Sequence, residues 1–418
     1  MNIGSDRQTD PISHAGTLAG RTVALCVTGS IAAYKAAEIA RRLVQSGANV
    51  HSLMTESGTR FLGPATLAGI TGHAVAVDMW NPDHAGETHV TLAERADLVV
   101  VAPATADSIA RLAHGRADDL VTALVLCARG PVMVVPAMHP RMWSHPATQK
   151  NLELLAAQGR TFFVGPVEGE VASGDVGMGR MADPSTIVAA AVAMLTPSDL
   201  SGSHIVVTAG PTLEDIDPVR FLGNRSSGRM GFAIAERAAA RGATVTLIAG
   251  PVELPTPYGV ERIDVRGANS LRGALWEVLG PDLSRADALI MAAAVADHSP
   301  AEISPTKLKS TDEKTTLRLV KNRDLLAEIG DRRSGKRPVL VGFAVESEDG
   351  DELVAYARGK LEEKRVDFVV ANQAVVAFGR TDNRATFVSR DDHQALPTMP
   401  KTALADLILD RTSVLLQS

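Results

Sequence analysis

The chain has 418 residues, enough for two or three domains at typical domain size. Its composition, 45% hydrophobic and 22% charged with a net charge of -6, is that of a globular protein without the basic footprint of a nucleic-acid binder. No apolar run approaches the roughly 18 residues of a membrane helix, and the polar opening MNIGSDRQTDPISHAG has no apolar signal core.

Residues 1–19 are expected to form a disordered tail. The two cysteines, Cys26 and Cys127, both sit in apolar runs (VALCVTG, ALVLCARG) and are expected to be buried packing residues. Neither has metal-ligand spacing, and so few cysteines point to a reducing compartment, the cytoplasm. RTVALCV (21–27) predicts a strand ending in Thr28-Gly29-Ser30. IAAYKAAEIARRLVQSG (31–47) predicts a helix stopped by Gly47, and ANVHSLMT (48–55) a second strand. ADLVVVAPAT (96–105) and PVMVVPAM (131–138) are near-continuously apolar, as parallel strands covered on both faces are.

The pattern restarts after MLTPSDLSGSH (194–204), a Pro/Ser/Gly-rich boundary. SHIVVTAGPT (203–212) predicts a strand, GRMGFAIAERAAARG (228–242) a helix with a Gly stop, and ATVTLIAG (243–250) a strand. QSGANVHSLM and ARGATVTLIA hold the same place in each half, as do ADLVVVAPAT and ADALIMAAAV. The expected fold is therefore α/β: two tandem doubly wound, Rossmann-like modules, 20–196 and 197–418, with ligands at the carboxyl ends of the strands.

In the first half, Thr28-Gly29-Ser30 opens a helix where free N–H groups suit a phosphate. Ala102-Pro103-Ala104-Thr105-Ala106-Asp107 and Pro136–Trp143 (PAMHPRMW) end two more strands, and His89 precedes the strand at 96. Their convergence on one sheet edge favours a site. In the second half, the segment 208–231 holds Arg220, Asn224, Arg225 and Arg229, and Ser226-Ser227-Gly228 starts a helix. Ala292–Asp297 ends a strand, Lys307 and Lys309 lie in a basic loop, and Lys360 and Lys364 share a helix face. No Walker A loop is present.

The set TGSIAAYK, His89, APATAD, PAMHPRMW and GDVGMGRM resembles the flavin-dependent cysteine decarboxylases. Joined to the second half, it resembles the bacterial bifunctional phosphopantothenoylcysteine decarboxylase/phosphopantothenate–cysteine ligases of coenzyme A synthesis. The resemblance implies an N-terminal flavoprotein fold binding FMN, with phosphate near Gly29, Ser30 and Ala32 and ring near Thr55, Pro103, Ala104 and Thr105. His89 resembles the catalytic base acting on the substrate thiol. Two departures stand out: His139 where the family usually has the Asn that holds the substrate carboxylate, and Ser173 where a flap Cys is common.

For the second half the resemblance implies a ligase for 4'-phosphopantothenate, L-cysteine and CTP with Mg2+, whose metal ligands are unknown. Asn224 resembles the residue that stabilises the acyl-cytidylate, with Arg220 beside it, and Lys307 a phosphate contact. Met291, Ala292, Ala293, Asp297, Arg323, Asp324, Leu325, Leu326, Phe343, Lys360 and Lys364 match the other CTP contacts, with Arg323 standing where Pro is common. Flavin sites shared between subunits imply self-association into decarboxylase trimers and ligase dimers, plausibly a dodecamer. Three alternatives are a prenyl-flavin synthase, a regulatory flavoprotein subunit, and a live ligase fused to an impaired decarboxylase. His89 and the fused ligase argue against the first. The end of the chain at LLQS, without an acidic tail, argues against the second.

Overall fold

The structure is a computed structural model that describes residues 16–80, 88–309, 316–346, 350–373 and 382–417. The chain divides into two compact units, with the division between Thr196 and Pro197.

The first unit is built on a parallel sheet of five strands, in the order Asn49–Met54, Thr22–Val27, Leu98–Ala104, Val132–Pro136, Thr161–Phe163. Counted along the chain this is 2-1-3-4-5, the flavodoxin-like doubly wound order. Ala24, Cys26, Val99, Val101, Val132 and Val134 face one packed layer of the core, and their alternates Leu25, Val100 and Met133 are equally buried. Helices therefore cover both faces, which is why the central strands read as unbroken apolar runs. Each fully buried Leu, Ile or Val contributes about 1.5–3 kcal/mol.

The second unit carries an eight-stranded sheet. Six parallel strands run Val260–Asp264, Thr244–Ala249, His204–Ala209, Ala288–Met291, Val339–Glu346, Phe368–Gln373. Within this unit that order is 3-2-1-4-5-6, the dinucleotide-fold order. Ala385–Val388 and His393–Ala395 extend the edge antiparallel. Alternation decides the two cores. Val207, Leu247, Ile290, Val341 and Val370 meet helices Arg229–Ala240 and Lys401–Gln417. Val206, Ile248, Leu289, Leu340 and Val369 meet helices Ala268–Leu279, Leu325–Arg332 and Gly350–Lys364.

The stop signals act alike in both units. Gly47 and Gly242 take φ of +91° and +85°, and in each case the next residue's N–H returns to a carbonyl five positions back. The segment 208–231 is not wholly irregular, because Leu213–Asp215 and Phe221–Gly223 pair as a short antiparallel hairpin.

Two expectations need correction. Residues 1–15 of the proposed tail lie outside the described residues, but 16–19 are not tail: Leu18 is buried and donates its N–H to Ser46 O at 2.8 Å. The bond ties it to the residue that ends helix Lys35–Gln45, a long-range contact that the local sequence does not announce. Cys26 is buried, and burial pushes its thiol pKa well up, but Cys127 is exposed. It ends helix Leu120–Cys127, where the neighbouring Leu126 also turns outward. No helix among the described residues is long and apolar enough to cross a membrane.

Candidate active sites

In the first unit, register brings three strand ends level: Val27 lies beside Met54, and Cys26 beside Val101. The break in strand order falls between the first and third strands, the point where doubly wound sheets open a crevice. Thr28 Oγ1 donates to Pro103 O at 2.7 Å and ties the two strand ends together. Three helix starts follow from these ends. Ser30 caps Ile31–Tyr34 by accepting from Ala32 N, Thr55 caps Glu56–Thr59 by accepting from Gly58 N, and Thr105 caps Ala106–Ala113 by accepting from Ser108 N. Three amino ends directed at one crevice suit an anion. Gly29 is required there, since a Cβ would lie 2.6 Å from Ser57 Cβ. Gly29, Ser30, Ala32, Thr55, Pro103, Ala104 and Thr105 thus occupy one edge. His89 is half-buried on helix Thr88–Arg95, which packs on helix Leu120–Cys127, and it has no hydrogen-bond partner among the described residues.

The two departures turn out to be coupled. His139 caps helix Pro140–Trp143: its Nδ1 accepts from Arg141 N at 3.2 Å, so Nε2 carries the proton and donates to Asp175 Oδ2 at 2.8 Å. Ser173 Oγ donates to the same Asp175 oxygen at 2.8 Å. These two bonds, His139 first and then Ser173, hold the Asp175 carboxyl below its ordinary pKa. The flap hairpin, Val167–Glu170 with Val176–Arg180, rests on the same loop, with Met138 N donating to Gly179 O at 3.0 Å. Gly179, at φ +151°, is needed because a Cβ would lie 2.4 Å from Met138 O. Asp175 was present in the quoted GDVGMGRM motif, but its role as the joint partner of His139 and Ser173 is visible only in three dimensions.

In the second unit a cavity of about 900 Å³ opens at the strand ends beside the order reversal between His204–Ala209 and Ala288–Met291. It gathers Asn224, the stretch Met291–Ala293, Asp297, Arg323, Asp324, Leu325, Leu326, Phe343, Lys360 and Lys364. The strand leaves the sheet after Met291, so the expected strand end Ala292–Asp297 is instead stapled as the cavity wall. Thr208 Oγ1 accepts from Ala293 N, Thr212 Oγ1 from Ala296 N, and Asn322 Nδ2 donates to Ala296 O. Asn224 Nδ2 donates to Ala294 O and Val295 O at 3.3 and 3.1 Å. Arg323–Leu326 form a helix start, with Asp324 capping Leu325–Arg332 and pairing with Lys364 at 2.7 Å. Burial would raise the Asp324 pKa; the Lys364 bond and the Ala327 N–H outweigh it and lower it.

Arg220 and Lys307 do not line this cavity. Both are organised by Asp217, which sequence reasoning missed. The Asp217 carboxylate is buried and accepts from Val219 N, Arg220 N, Leu308 N and the Arg220 guanidinium (2.6 and 2.9 Å). Burial alone would raise its pKa, but these donors hold it far below the carboxylate range. Arg220 Nη2 also donates to Leu308 O at 2.7 Å, so the basic segment is anchored to the hairpin turn. Asn372, Asn383 and Lys401, also on the cavity wall, were likewise missed, because nothing in their local sequence distinguishes them.

Two family models match the chain: Flavoprotein over residues 11–196, and DNA/pantothenate metabolism flavoprotein C-terminal domain over residues 200–415. The chain is 44% identical to the coenzyme A biosynthesis bifunctional protein CoaBC of Vibrio parahaemolyticus over 401 residues, covering 94% of this chain and 98% of that one. Identity to the proteins of the same name from Escherichia coli and Bacillus subtilis is 43% and 42%, over 94% and 95% of this chain and 97% and 98% of theirs. With a flavoprotein unit followed by this C-terminal domain, matched nearly end to end, the chain belongs to the CoaBC family of bifunctional coenzyme A biosynthesis enzymes.

Proposed function

We propose that the second domain joins 4'-phosphopantothenate to L-cysteine with CTP through an acyl-cytidylate, and that the first domain decarboxylates the resulting 4'-phosphopantothenoylcysteine to 4'-phosphopantetheine with FMN, in the cytoplasm. The observation that carries this reading is the second-domain cavity, which collects residues from 224 to 364 that the resemblance assigns to one nucleotide. In that cavity Lys360 and Lys364 offset phosphate charge, and Asn224 faces the wall where the acyl-cytidylate forms. Mg2+ accompanies CTP through the nucleotide phosphates, and Asp297 is an available carboxylate on the cavity wall. In the first domain the helix starts at Ser30, Thr55 and Thr105 fit a phosphate-bearing cofactor. FMN, when bound, supplies the two-electron exchange that lets an amino acid carboxylate leave as CO2. His89 takes the thiol proton. Asp175 secures the flap through His139 and Ser173.

Purification tests both halves. The protein is expected to be yellow, to release CO2 from 4'-phosphopantothenoylcysteine, and to form CMP only when CTP, 4'-phosphopantothenate and cysteine are all present. A colourless protein that forms CMP would favour the alternative of an active ligase fused to an impaired decarboxylase, an alternative motivated by His139 and Ser173.

Because Ser173 is tied to Asp175, its expected role is to order the flap, with the final proton coming from water or another flap group. Ser173→Ala should retain formation of the saturated product at a raised KM. Mass spectrometry separates thiol from enethiol by two hydrogens; accumulation of enethiol would make Ser173 the proton donor instead.

Self-association is supported by apolar exposure. In the first domain Ile31, Tyr34, Phe61 and Trp80 are exposed, Trp80 at 83%. In the second, Val219, Phe221, Ile303, Leu319 and Val320 are exposed on or beside the two short hairpins, Leu213–Asp215 with Phe221–Gly223 and His298–Pro300 with Leu319–Lys321. We assign the first patch to a trimer and the second to a dimer, giving a dodecamer. Phe221→Asp with Val320→Asp should reduce the assembly to trimers by light scattering and leave FMN bound; an unchanged mass would remove these hairpins from the interface.

A further inference from the structure

The resemblance leaves one end of the ligase cavity without a role. Asn383 lies there, 1% exposed. Its Oδ1 accepts from Arg384 N at 2.9 Å, which fixes the amide and turns Nδ2 the other way. Among the described residues that Nδ2 has no hydrogen-bond partner. Asn372, 4% exposed on the same wall, has an unsatisfied Oδ1. Buried amide groups are nearly always satisfied, so two orphans on one cavity wall point to a ligand that completes them.

The charge at this end gives the chemistry of that ligand. Lys401 is 5% exposed and lines the cavity with Arg229. Each opens a long helix, Lys401–Gln417 and Arg229–Ala240, and no side chain caps the second at Gly228. Two cations therefore sit at two positive helix ends, with Asp382 as the acidic group that acts on Lys401. Burial and the Arg229 charge both lower the Lys401 pKa, to about 8, against the opposing pull of Asp382.

We propose that Asn383 and Lys401, with Arg229, form a phosphate-binding end of this cavity. Asn383 Nδ2 and the Lys401 ammonium donate to phosphate oxygens, and Asn372 Oδ1 accepts from a ligand hydroxyl beside them. The phosphate belongs either to the polyphosphate of the nucleotide or to the phosphomonoester of the acid substrate. Assignment to one of these substrates rests on the ligase reading; the anion site itself does not.

The test uses the full-length protein and two readouts. Calorimetric titration with inorganic pyrophosphate reads phosphate binding in the whole cavity, which Lys360 and Lys364 also line, so the change each variant makes isolates this end, and the KM values for CTP and for 4'-phosphopantothenate read its source. Lys401→Met and Asn383→Asp, the second nearly isosteric but negatively charged, are each expected to weaken pyrophosphate binding by about tenfold or more, the loss of one charge-assisted hydrogen bond. Lys401→Arg should retain binding. A selective rise in KM for CTP assigns the site to the nucleotide, and a selective rise for 4'-phosphopantothenate assigns it to the acid substrate. If Lys401→Met does not fold, Asn383→Asp and Lys401→Arg decide the matter. Unchanged pyrophosphate affinity in the folded variants overturns the proposal. Wild-type protein that binds pyrophosphate but forms no CMP from CTP would instead sink the ligase reading and leave the anion site standing.

Discussion

His89→Asn is expected to cut CO2 release by about 10²–10⁴-fold, the usual worth of a positioned acid–base group, and to leave CTP-dependent amide formation intact. His89 lies on helix Thr88–Arg95 of the first unit, and the 900 Å³ cavity is lined wholly by residues of the second. The ring makes no hydrogen bond among the described residues, so Asn in its place breaks none there, and FMN binding and thermal stability are expected to change little. The measurement pairs CO2 release with CMP release on one preparation whose flavin spectrum is checked first. Loss of both activities in a folded, flavin-loaded variant would contradict two independent sites.

The second large effect is expected at Asn224. Its amide nitrogen donates to Ala294 O and Val295 O, so in Asn224→Asp a carboxylate faces two carbonyl oxygens and, in turnover, the phosphate of the acyl-cytidylate. Losing one such donor and adding a charge should lower ligase turnover by about 10²–10³-fold, with CO2 release unaffected. Following pyrophosphate and CMP release separately locates the damage in the first or second half-reaction. Unchanged turnover would remove Asn224 from the site. Asp217→Asn is an internal control, because its new N–H groups would oppose those of Arg220 and Leu308. It should release the 304–308 segment and impair the ligase without touching the cavity wall.

Much of this molecule was legible in the residues. Apolar runs such as VALCV and LVVVA announced strands covered on both faces, because a parallel strand between two helix layers has no solvent side to mark. Gly47 and Gly242 announced helix ends, since φ near +90° is open to glycine at no steric cost. Thr-Gly-Ser and Ser-Ser-Gly turns announced helix starts, and motif order announced the family. These signals are local: they depend on residues within one turn or one strand of each other.

What the sequence left open depends on distance along the chain. Strand order, 2-1-3-4-5 in one unit and 3-2-1-4-5-6 in the other, is set by how crossovers pack and not by any segment alone. His139 and Ser173 read as two separate departures; only folding sets both on one oxygen of Asp175. Asp217 looks like any turn acid in EDIDPVR until burial shows it receiving Arg220 and, 91 residues on, the backbone of Leu308. Asn372, Asn383 and Lys401 carry no motif, and their meaning lies in being buried together on the wall of one cavity. The sequence by itself thus determined elements, turns and family. The tertiary structure decided which polar groups are buried, because desolvation, which makes an unpaired donor costly and a charge in need of a partner, exists only after the chain has packed.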